Sequence, residues 1–502
     1  MSSDQTFFQS LFRRKPIDVS VNQSETSQMK RSLGAVQLTF LGIGCIIGTG
    51  IFVLTGRAAA VNAGPAIAIS FIVAALVSAF SAFSYAELST LIPISGSAYS
   101  YTVSSMGELF GWIVGWDLMI EYLVGASTVA SGWSAYIVAF FSSTFNVKFP
   151  KATTESPLKF ENDSFLINKG AYVNIPAIFI ALLVTCILVV GIQESSAVNT
   201  VVVMIKITVI IIFIFGGIRY VDTKNYKPFI PPSKGGQFGA VGIIKGAQKV
   251  FFSYIGFDAV STAAQEAKNP QKDLPIGIIL SLLVCTVLYI ATSVVLCGMA
   301  KYTELNKDAP ISHALSLHQN TKWMQVLVNL GAVCGLTSVI LVLLLSQPRL
   351  FMAMAGDGML PPIFARLHPR FKTPYIPTII GGVVCAVLSG LLPVDLLGDM
   401  TSVGTLFAFL FVNIGVIILR HTDPHRHRDF RVPLGPYIFP ILGSLIAAAL
   451  IVSSGKSTII RLVIWMAIGL VVYFFYARSH SKISAYADNE YVFQEPTNKY
   501  EA

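Results

Sequence analysis

The chain has 502 residues, of which 54% are hydrophobic and only 12% are charged, and its mean hydropathy is +0.68. Ordinary water-soluble enzymes do not have this composition, so we expect the chain to lie in a lipid bilayer. The net charge of +9 is carried mainly by the polar ends and loops, where it favours contact with anionic lipid headgroups over nucleic acid.

The first 31 residues are polar and contain several basic side chains, and they lack the short apolar core and the cleavage site of a secretory signal. We expect residues 1–31 to form a cytoplasmic tail and the first apolar stretch to be an uncleaved signal anchor. A membrane domain over residues 32–480 and a second cytoplasmic tail over residues 481–502 complete the predicted organisation.

Twelve apolar stretches follow the first tail, and a helix needs about 20 such residues to cross the hydrocarbon core. They lie at residues 34–60, 66–92, 108–142, 172–191, 199–218, 239–265, 275–299, 325–352, 376–392, 395–419, 434–453 and 459–477. The prediction is an all-α integral membrane protein with twelve transmembrane helices. Both tails are then cytoplasmic, and arginine is concentrated in the cytoplasmic loops.

Two of these stretches contain signals that interrupt a helix. The first has four glycines in nine residues, at Gly42, Gly44, Gly48 and Gly50. Each destabilises a helix by about 1 kcal/mol relative to alanine, so the first helix is predicted to break. The sixth stretch has a glycine beside a carboxylate within the sequence FSYIGFD at residues 252–258, which predicts a second break.

A broken backbone is tolerated in a membrane only where it lines a cavity enclosed by protein. Breaks at equivalent positions in two successive sets of five helices are typical of an inverted repeat with a binding site near the middle of the bilayer. We therefore predict a five-plus-five inverted repeat over residues 34–220 and 239–419, with broken helices 1 and 6 and two extra helices over 434–477.

The predicted breaks release backbone groups that suit the zwitterionic head of an α-amino acid. Free N–H groups at Gly48, Thr49 and Gly50 form a cradle for a carboxylate at the positive end of the second half-helix. Free carbonyls near the C-terminal ends of half-helices attract an ammonium group, and those expected to do so belong to Cys45, Ile46, Phe252, Ser253 and Ile255.

Lys206 lies in the middle of the long apolar run over residues 201–215. An ammonium at the centre of the bilayer costs roughly 2.5 to 3.5 kcal/mol even on lenient scales, so such a residue indicates a functional role.

Several motifs match one family of transporters. The sequence GIGCIIGTGIF at residues 42–52, followed by Gly64 and Pro65, resembles the first-span signature of the amino acid, polyamine and organocation (APC) transporter superfamily. Others are similar to its cationic amino acid transporter branch, in the bacterial form that ends after twelve spans: YAEL at 85–88, GSAYSY at 96–101, GWDLMIEY at 115–122, FSYIGFD at 252–258, KNPQKDLP at 268–275 and FRVP at 430–433.

The resemblance implies the broken-helix transporter fold and secondary active transport of amino acids by alternating access. Lys206 matches a fifth-span lysine whose amine, in proton-coupled members, takes the place of the cation in sodium-coupled relatives. This match therefore implies that transport is coupled to protons and does not need sodium. The alternative is a permanently charged lysine that pairs with backbone carbonyls as a structural strut.

Glu121 and Asp258 match acidic positions that border the side-chain end of the pocket in this branch. Two carboxylates facing an apolar cavity suit an arginine or lysine side chain, and the Thr49 hydroxyl adds a hydrogen bond or holds a water. A small pocket for alanine, serine or threonine stays open as an alternative.

The sequence has no nucleotide-binding loop, zinc pattern or nucleophile elbow, which argues against a nucleotide-driven pump and a hydrolase. We expect no enzymatic activity, no bound metal and no cofactor. A channel and an amino acid sensor are the alternatives from other functional classes. The expected partners are an amino acid and membrane lipids, without nucleic acid, and the expected location is the cell membrane. A small accessory membrane protein and a homo-oligomer are left open.

Overall fold

The computed structural model describes residues 11–25, 31–161, 164–191, 196–371 and 373–483. Most of these residues are helical, which confirms the all-α class. Large parts of both predicted tails, at residues 1–10, 26–30 and 484–502, lie outside the described residues.

The first half of the chain contains nine α-helices among the described residues. They are α1 (Ile17–Glu25), α2 (Ala35–Ile46), α3 (Thr55–Ala58), α4 (Ile67–Leu91), α5 (Ser97–Met106), α6 (Glu108–Phe145), α7 (Lys151–Thr154), α8 (Ile175–Val190) and α9 (Ser196–Gly217). Between α7 and α8, strands β1 (Leu158–Glu161) and β2 (Ser164–Ile167) form an antiparallel hairpin in which Leu158 lies opposite Ile167.

The second half of the chain begins with the short helices α10 (Gly239–Phe251) and α11 (Phe257–Thr262). The helices that follow are α12 (Pro270–Met299), α13 (Pro310–Ser316), α14 (Lys322–Gly356), α15 (Tyr375–Leu391), α16 (Val394–Thr422), α17 (Gly435–Ser453), α18 (Lys456–Val472) and α19 (Arg478–His480). The long helix α6 packs along both α14 and α16 and forms the centre of the bundle with them.

Eight helical segments among the described residues are long and apolar enough to cross a membrane. They are Gly50–Leu91, Glu108–Phe145, Asn199–Tyr220, Pro270–Met299, Lys322–Gly356, Val394–Thr422, Gly435–Ser453 and Lys456–His480. Three shorter apolar helices are Ala35–Ile46, Ile175–Val190 and Tyr375–Leu391.

The first predicted break lies between α2 and α3. Helix α2 ends at Ile46, and Ile47 is extended, with φ −73° and ψ 94°. The chain becomes helical again in a π-helical turn, Gly50–Leu54, which continues through α3 into a second π-helical turn, Ala59–Ala63. The glycine-rich sequence therefore interrupts the helix as predicted.

The second predicted break lies between α10 and α11. After α10, a 3₁₀ turn over Phe252–Tyr254 leads to an extended Ile255 with ψ 135°. Gly256 then has φ 121°, a conformation that residues with a Cβ rarely adopt. This glycine turns the chain into α11, as the sequence predicts.

One carboxylate ties both broken helices to the bundle. Asp395, at the start of α16, contacts Arg57 of α3, and its Oδ1 lies 3.1 Å from the Lys249 Nζ of α10. Arg57 also contacts Asp308. The half-helix that follows the first break and the half-helix that precedes the second are therefore held at a common point.

Residues near both ends of the chain meet at Asp357, just after α14. The Lys15 Nζ lies 2.8 Å from the Asp357 Oδ1, and the Tyr99 hydroxyl donates to Oδ2 at 2.8 Å. The backbone N–H of Lys482 donates to the Asp357 carbonyl at 2.9 Å. Lys15 and Lys482 therefore lie on the same side of the helical bundle.

Candidate functional site

The two breaks lie in direct contact with each other. A Cβ added to Gly50 would lie 2.6 Å from the Ser253 Cβ, and one added to Gly256 would lie 2.7 Å from the Cys45 Cβ. Real Cβ atoms do not approach this closely. The lack of a side chain at Gly50 and Gly256 therefore lets the two unwound backbones touch.

Several polar groups where the backbones meet have no hydrogen-bond partner among the described residues. Among the described residues, no backbone hydrogen bond uses the N–H of Gly48 or Thr49, and Gly50 begins a helix, where N–H groups lack internal acceptors. The hydroxyls of Thr49 and Ser253 are fully buried and also lack a hydrogen-bond partner there. Each such group costs about 1–3 kcal/mol, so this cluster is suited to a polar ligand.

The carbonyls at the end of α2 are bound by side chains from other helices. The Lys206 Nζ donates to the Gly44 carbonyl at 2.7 Å and to the Ile47 carbonyl at 3.3 Å. The Tyr289 hydroxyl donates to the Ile46 carbonyl at 2.7 Å. The prediction that the Ile46 carbonyl is free is therefore wrong, because a tyrosine from α12 reaches it.

The carbonyls of the second break are also partly used. The Phe252 carbonyl accepts the N–H of Ile255 at 3.2 Å, so it too is not free as predicted. This bond closes the 3₁₀ turn that separates α10 from the extended Ile255.

Lys206 is fully buried between the end of α2 and the middle of α14. A Cβ on Gly335 of α14 would lie 2.9 Å from the Lys206 Cγ and 3.0 Å from its Cε, so the glycine leaves room for the aliphatic chain. The lysine thus joins three helices at the first break. Its bonds to backbone carbonyls are compatible with a proton carrier and with a structural strut.

Asp258 lies in the first turn of the helix that follows the second break. Its Oδ1 accepts the N–H of Gly256 at 3.1 Å, and its Oδ2 accepts the Tyr122 hydroxyl at 3.1 Å. Because both carboxyl oxygens are engaged, Asp258 fixes the start of α11 and joins it to α6.

Glu121 precedes Tyr122 on α6 and is equally buried. The Thr405 hydroxyl of α16 lies beside it, but neither of its carboxyl oxygens accepts a hydrogen bond of good geometry within the described residues. The two acids predicted to act as a pair therefore differ, since Asp258 is held by its neighbours and Glu121 is available.

All predicted site residues are buried, which makes this a closed conformation. Thr49 and Ser253 have no exposed surface, and Phe252 and Ile255 are each 6% exposed. A solute would reach the cluster only if the half-helices moved apart.

Two supporting tyrosines were not predicted. Tyr289 binds the end of α2, and the Tyr136 hydroxyl donates to the Phe52 carbonyl at 2.7 Å, just after the first break. A buried tyrosine hydroxyl needs a partner, so tyrosines inside apolar stretches were the available signal. The sequence does not reveal which carbonyl each one reaches.

Comparison with known proteins gives one family. Residues 33–475 match the model of the family described as amino acid permease. A methylthioribose transporter of Bacillus subtilis (strain 168) is 46% identical over 475 residues, 95% of this chain and 99% of the relative. A branched-chain amino acid permease of the same organism is 44% identical over 478 residues, covering 95% and 99%.

Cationic transporters are more distant. A vacuolar cationic amino acid transporter 4 of Arabidopsis thaliana is 39% identical over 419 residues, 83% of this chain and 68% of the relative. These relatives are transporters and permeases, so the prediction that the chain is not an enzyme is confirmed. The family match and the interrupted helices together lead to one conclusion: the chain belongs to the amino acid permease family of the APC superfamily.

Proposed function

We propose that the chain is a proton-coupled secondary transporter that moves L-amino acids across the cell membrane by alternating access. The observation that carries the proposal is the contact between the two breaks, which gathers the unpaired N–H groups of Gly48 and Thr49 with the Thr49 and Ser253 hydroxyls. The amino acid carboxylate binds the N–H groups, and its ammonium group lies near the carbonyls of the second break.

The proton binds at Lys206 in this proposal. A protonated Lys206 donates to the Gly44 and Ile47 carbonyls and holds the end of α2 in place. Loss of the proton removes the charge from both bonds and weakens them, since charged hydrogen bonds are roughly twice as strong as neutral ones. The end of α2 is then free to move, so proton release is linked to opening of the site. An ammonium that occupies this position leaves no role for sodium.

The fold proposed for this cycle has twelve spans in a five-plus-five inverted repeat, with α2–α3 and α10–α11 as the broken first and sixth spans. Both tails are cytoplasmic. The meeting of Lys15 and Lys482 at Asp357 supports an even number of spans, because residues near both chain ends lie on one side. The arginine-rich loops support the cytoplasmic assignment.

Cationic amino acids are the first substrate candidates, because Glu121 is a buried acid available to bind a guanidinium or ammonium group. Small neutral amino acids are the alternative if the pocket is short. The relatives at 46% and 44% identity are named for methylthioribose and branched-chain amino acids. Branched-chain amino acids are the further candidates, because they have the zwitterionic head that this site would bind.

Uptake by purified protein in proteoliposomes tests the proposal. With the outside made acidic, we expect labelled arginine, leucine or alanine to accumulate against its gradient, with or without sodium. A channel would only equilibrate the solute, and a sensor would show binding without flux; either result would overturn the proposal.

Lys206→Met separates coupling from binding. We expect this variant to retain exchange of labelled for unlabelled amino acid and to lose accumulation driven by the proton gradient. Lys301→Met, which changes an exposed lysine between α12 and α13, is the matched control and should behave as the wild type. Undiminished accumulation by Lys206→Met would leave the lysine as a structural strut.

A further inference from the structure

Asp117 is a buried acid outside the two breaks. It lies on α6, one helical turn before Glu121, and has no exposed surface. Neither of its carboxyl oxygens has a hydrogen-bond partner among the described residues. Gly404 of α16 leaves room for it, since a Cβ there would lie 3.2 Å from the Asp117 Oδ1. A buried carboxyl group that has no hydrogen-bond partner among the described residues is suited to bind a water.

The Asp117 side chain faces a cavity between α6, α16 and α18. The cavity has about 30 Å³ of space for the centres of water molecules. One water needs roughly 10–15 Å³ of such space, so about two waters fit. The remaining lining residues are Ile120, Val124, Met400, Val403, Thr458, Arg461, Leu462 and Trp465.

Polar groups on α18 complete the cavity. The buried Thr458 hydroxyl accepts a hydrogen bond from the Arg461 Nη2 at 2.9 Å, and Thr458 is one of the residues that line the cavity. Arg461 is the cationic group of the lining, α16 contributes the apolar Met400 and Val403, and Glu121 is the nearest acid along α6. Asp117 and Thr458 are the lining residues whose polar groups suit a water, which needs two to four partners.

We propose that this Asp117 cavity is a hydrated proton-binding site, distinct from Lys206 and from the two breaks. Water held between the Asp117 carboxyl and the Thr458 hydroxyl delivers a proton to the carboxylate as hydronium, becoming neutral water, and takes it back in the reverse step. A proton on Asp117 removes the repulsion that two carboxylates one turn apart would exert.

Infrared difference spectroscopy on the purified protein without substrate tests the site. Between acidic and alkaline buffer, the wild type should show a protonated-carboxyl band that Asp117→Asn lacks. In heavy water, Thr458→Val should slow deuterium exchange at that band by about fivefold, the effect of losing one ordinary hydrogen bond. Val463→Thr, on the exposed side of the same helix, is a control that should leave the exchange rate unchanged.

Retention of every carboxyl band by Asp117→Asn would overturn the proposal, and so would an exchange rate that Thr458→Val leaves unaltered. If Asp117→Asn does not fold, the Thr458→Val exchange rate alone decides. Because no substrate or gradient is present, the outcome does not depend on coupling at Lys206.

Discussion

At both breaks a helix is interrupted by a short extended segment, but the interactions that fix the backbone differ between the two. At the first, side chains from two other helices, Lys206 of α9 and Tyr289 of α12, bind the carbonyls at the end of α2. At the second, the Asp258 carboxylate in the first turn of α11 accepts the N–H of Gly256, and Gly256 adopts φ 121°.

The difference indicates which break can respond to a proton. The first is held by an amine, and its bonds weaken when the amine loses its charge. The second is fixed by the backbone conformation of Gly256 and by the hydrogen bond from its N–H to Asp258. We infer that the first break is the variable part of the site and the second is its constant part.

We expect the largest effect from a substitution in the second break, at Gly256. In Gly256→Ala, the positive φ costs about 1–2 kcal/mol and the contact with Cys45 costs about 1–3 kcal/mol more. We expect the free energy of unfolding to fall accordingly and uptake to fall more than tenfold. Thermal unfolding and proteoliposome uptake measure both effects.

The matched control for this change is Gly356→Ala at the end of α14, where an added Cβ has no atom within 4 Å. It should leave stability and uptake unchanged. Equal behaviour of the two alanine variants would mean that the contact between the breaks is not tight.

The next prediction separates the two acids. Glu121→Gln should lower arginine uptake about tenfold relative to alanine uptake without lowering the melting temperature, because among the described residues no hydrogen bond of good geometry to the Glu121 carboxylate would be lost. Asp258→Ala should instead lower the melting temperature and reduce uptake of both solutes. The reason is that it leaves the Gly256 N–H and the Tyr122 hydroxyl unpaired.

Arginine and alanine uptake, with thermal melts of the same preparations, provide the measurements. Selective loss of arginine uptake in Asp258→Ala, combined with a stable and unselective Glu121→Gln, would reverse the roles assigned to these residues.

We expect the smallest effect at Tyr289, which is the second side chain that binds a carbonyl at the end of α2. Tyr289→Phe removes the hydrogen bond to the Ile46 carbonyl, which is worth about 1 kcal/mol, and should change proton-driven uptake about fivefold. Tyr254→Phe is the control, because its ring packs 5.4 Å from that of Tyr289 while its hydroxyl binds the Phe71 carbonyl instead. If the two variants change uptake equally, Tyr289 has no special role at the break.

The sequence predicted what local chemistry determines. Glycine content and Gly256 located both breaks, and a lone charge in an apolar run singled out Lys206. The sequence could not predict that the Tyr289 hydroxyl donates to the Ile46 carbonyl, because the two residues are 243 positions apart. Nor could it separate Glu121 from Asp258, since that difference depends on which side chains of the folded bundle reach each carboxyl group.

Competition for uptake by compounds with altered head groups tests most directly whether the breaks bind the head of an amino acid. We predict that L-amino acids with different side chains compete with a labelled amino acid, and that the matching amines and carboxylic acids, which lack one charged group, compete at least tenfold more weakly. Methylthioribose has neither charge and should compete as weakly. Competition by methylthioribose or by the amines that equals that of the best amino acid would contradict the account.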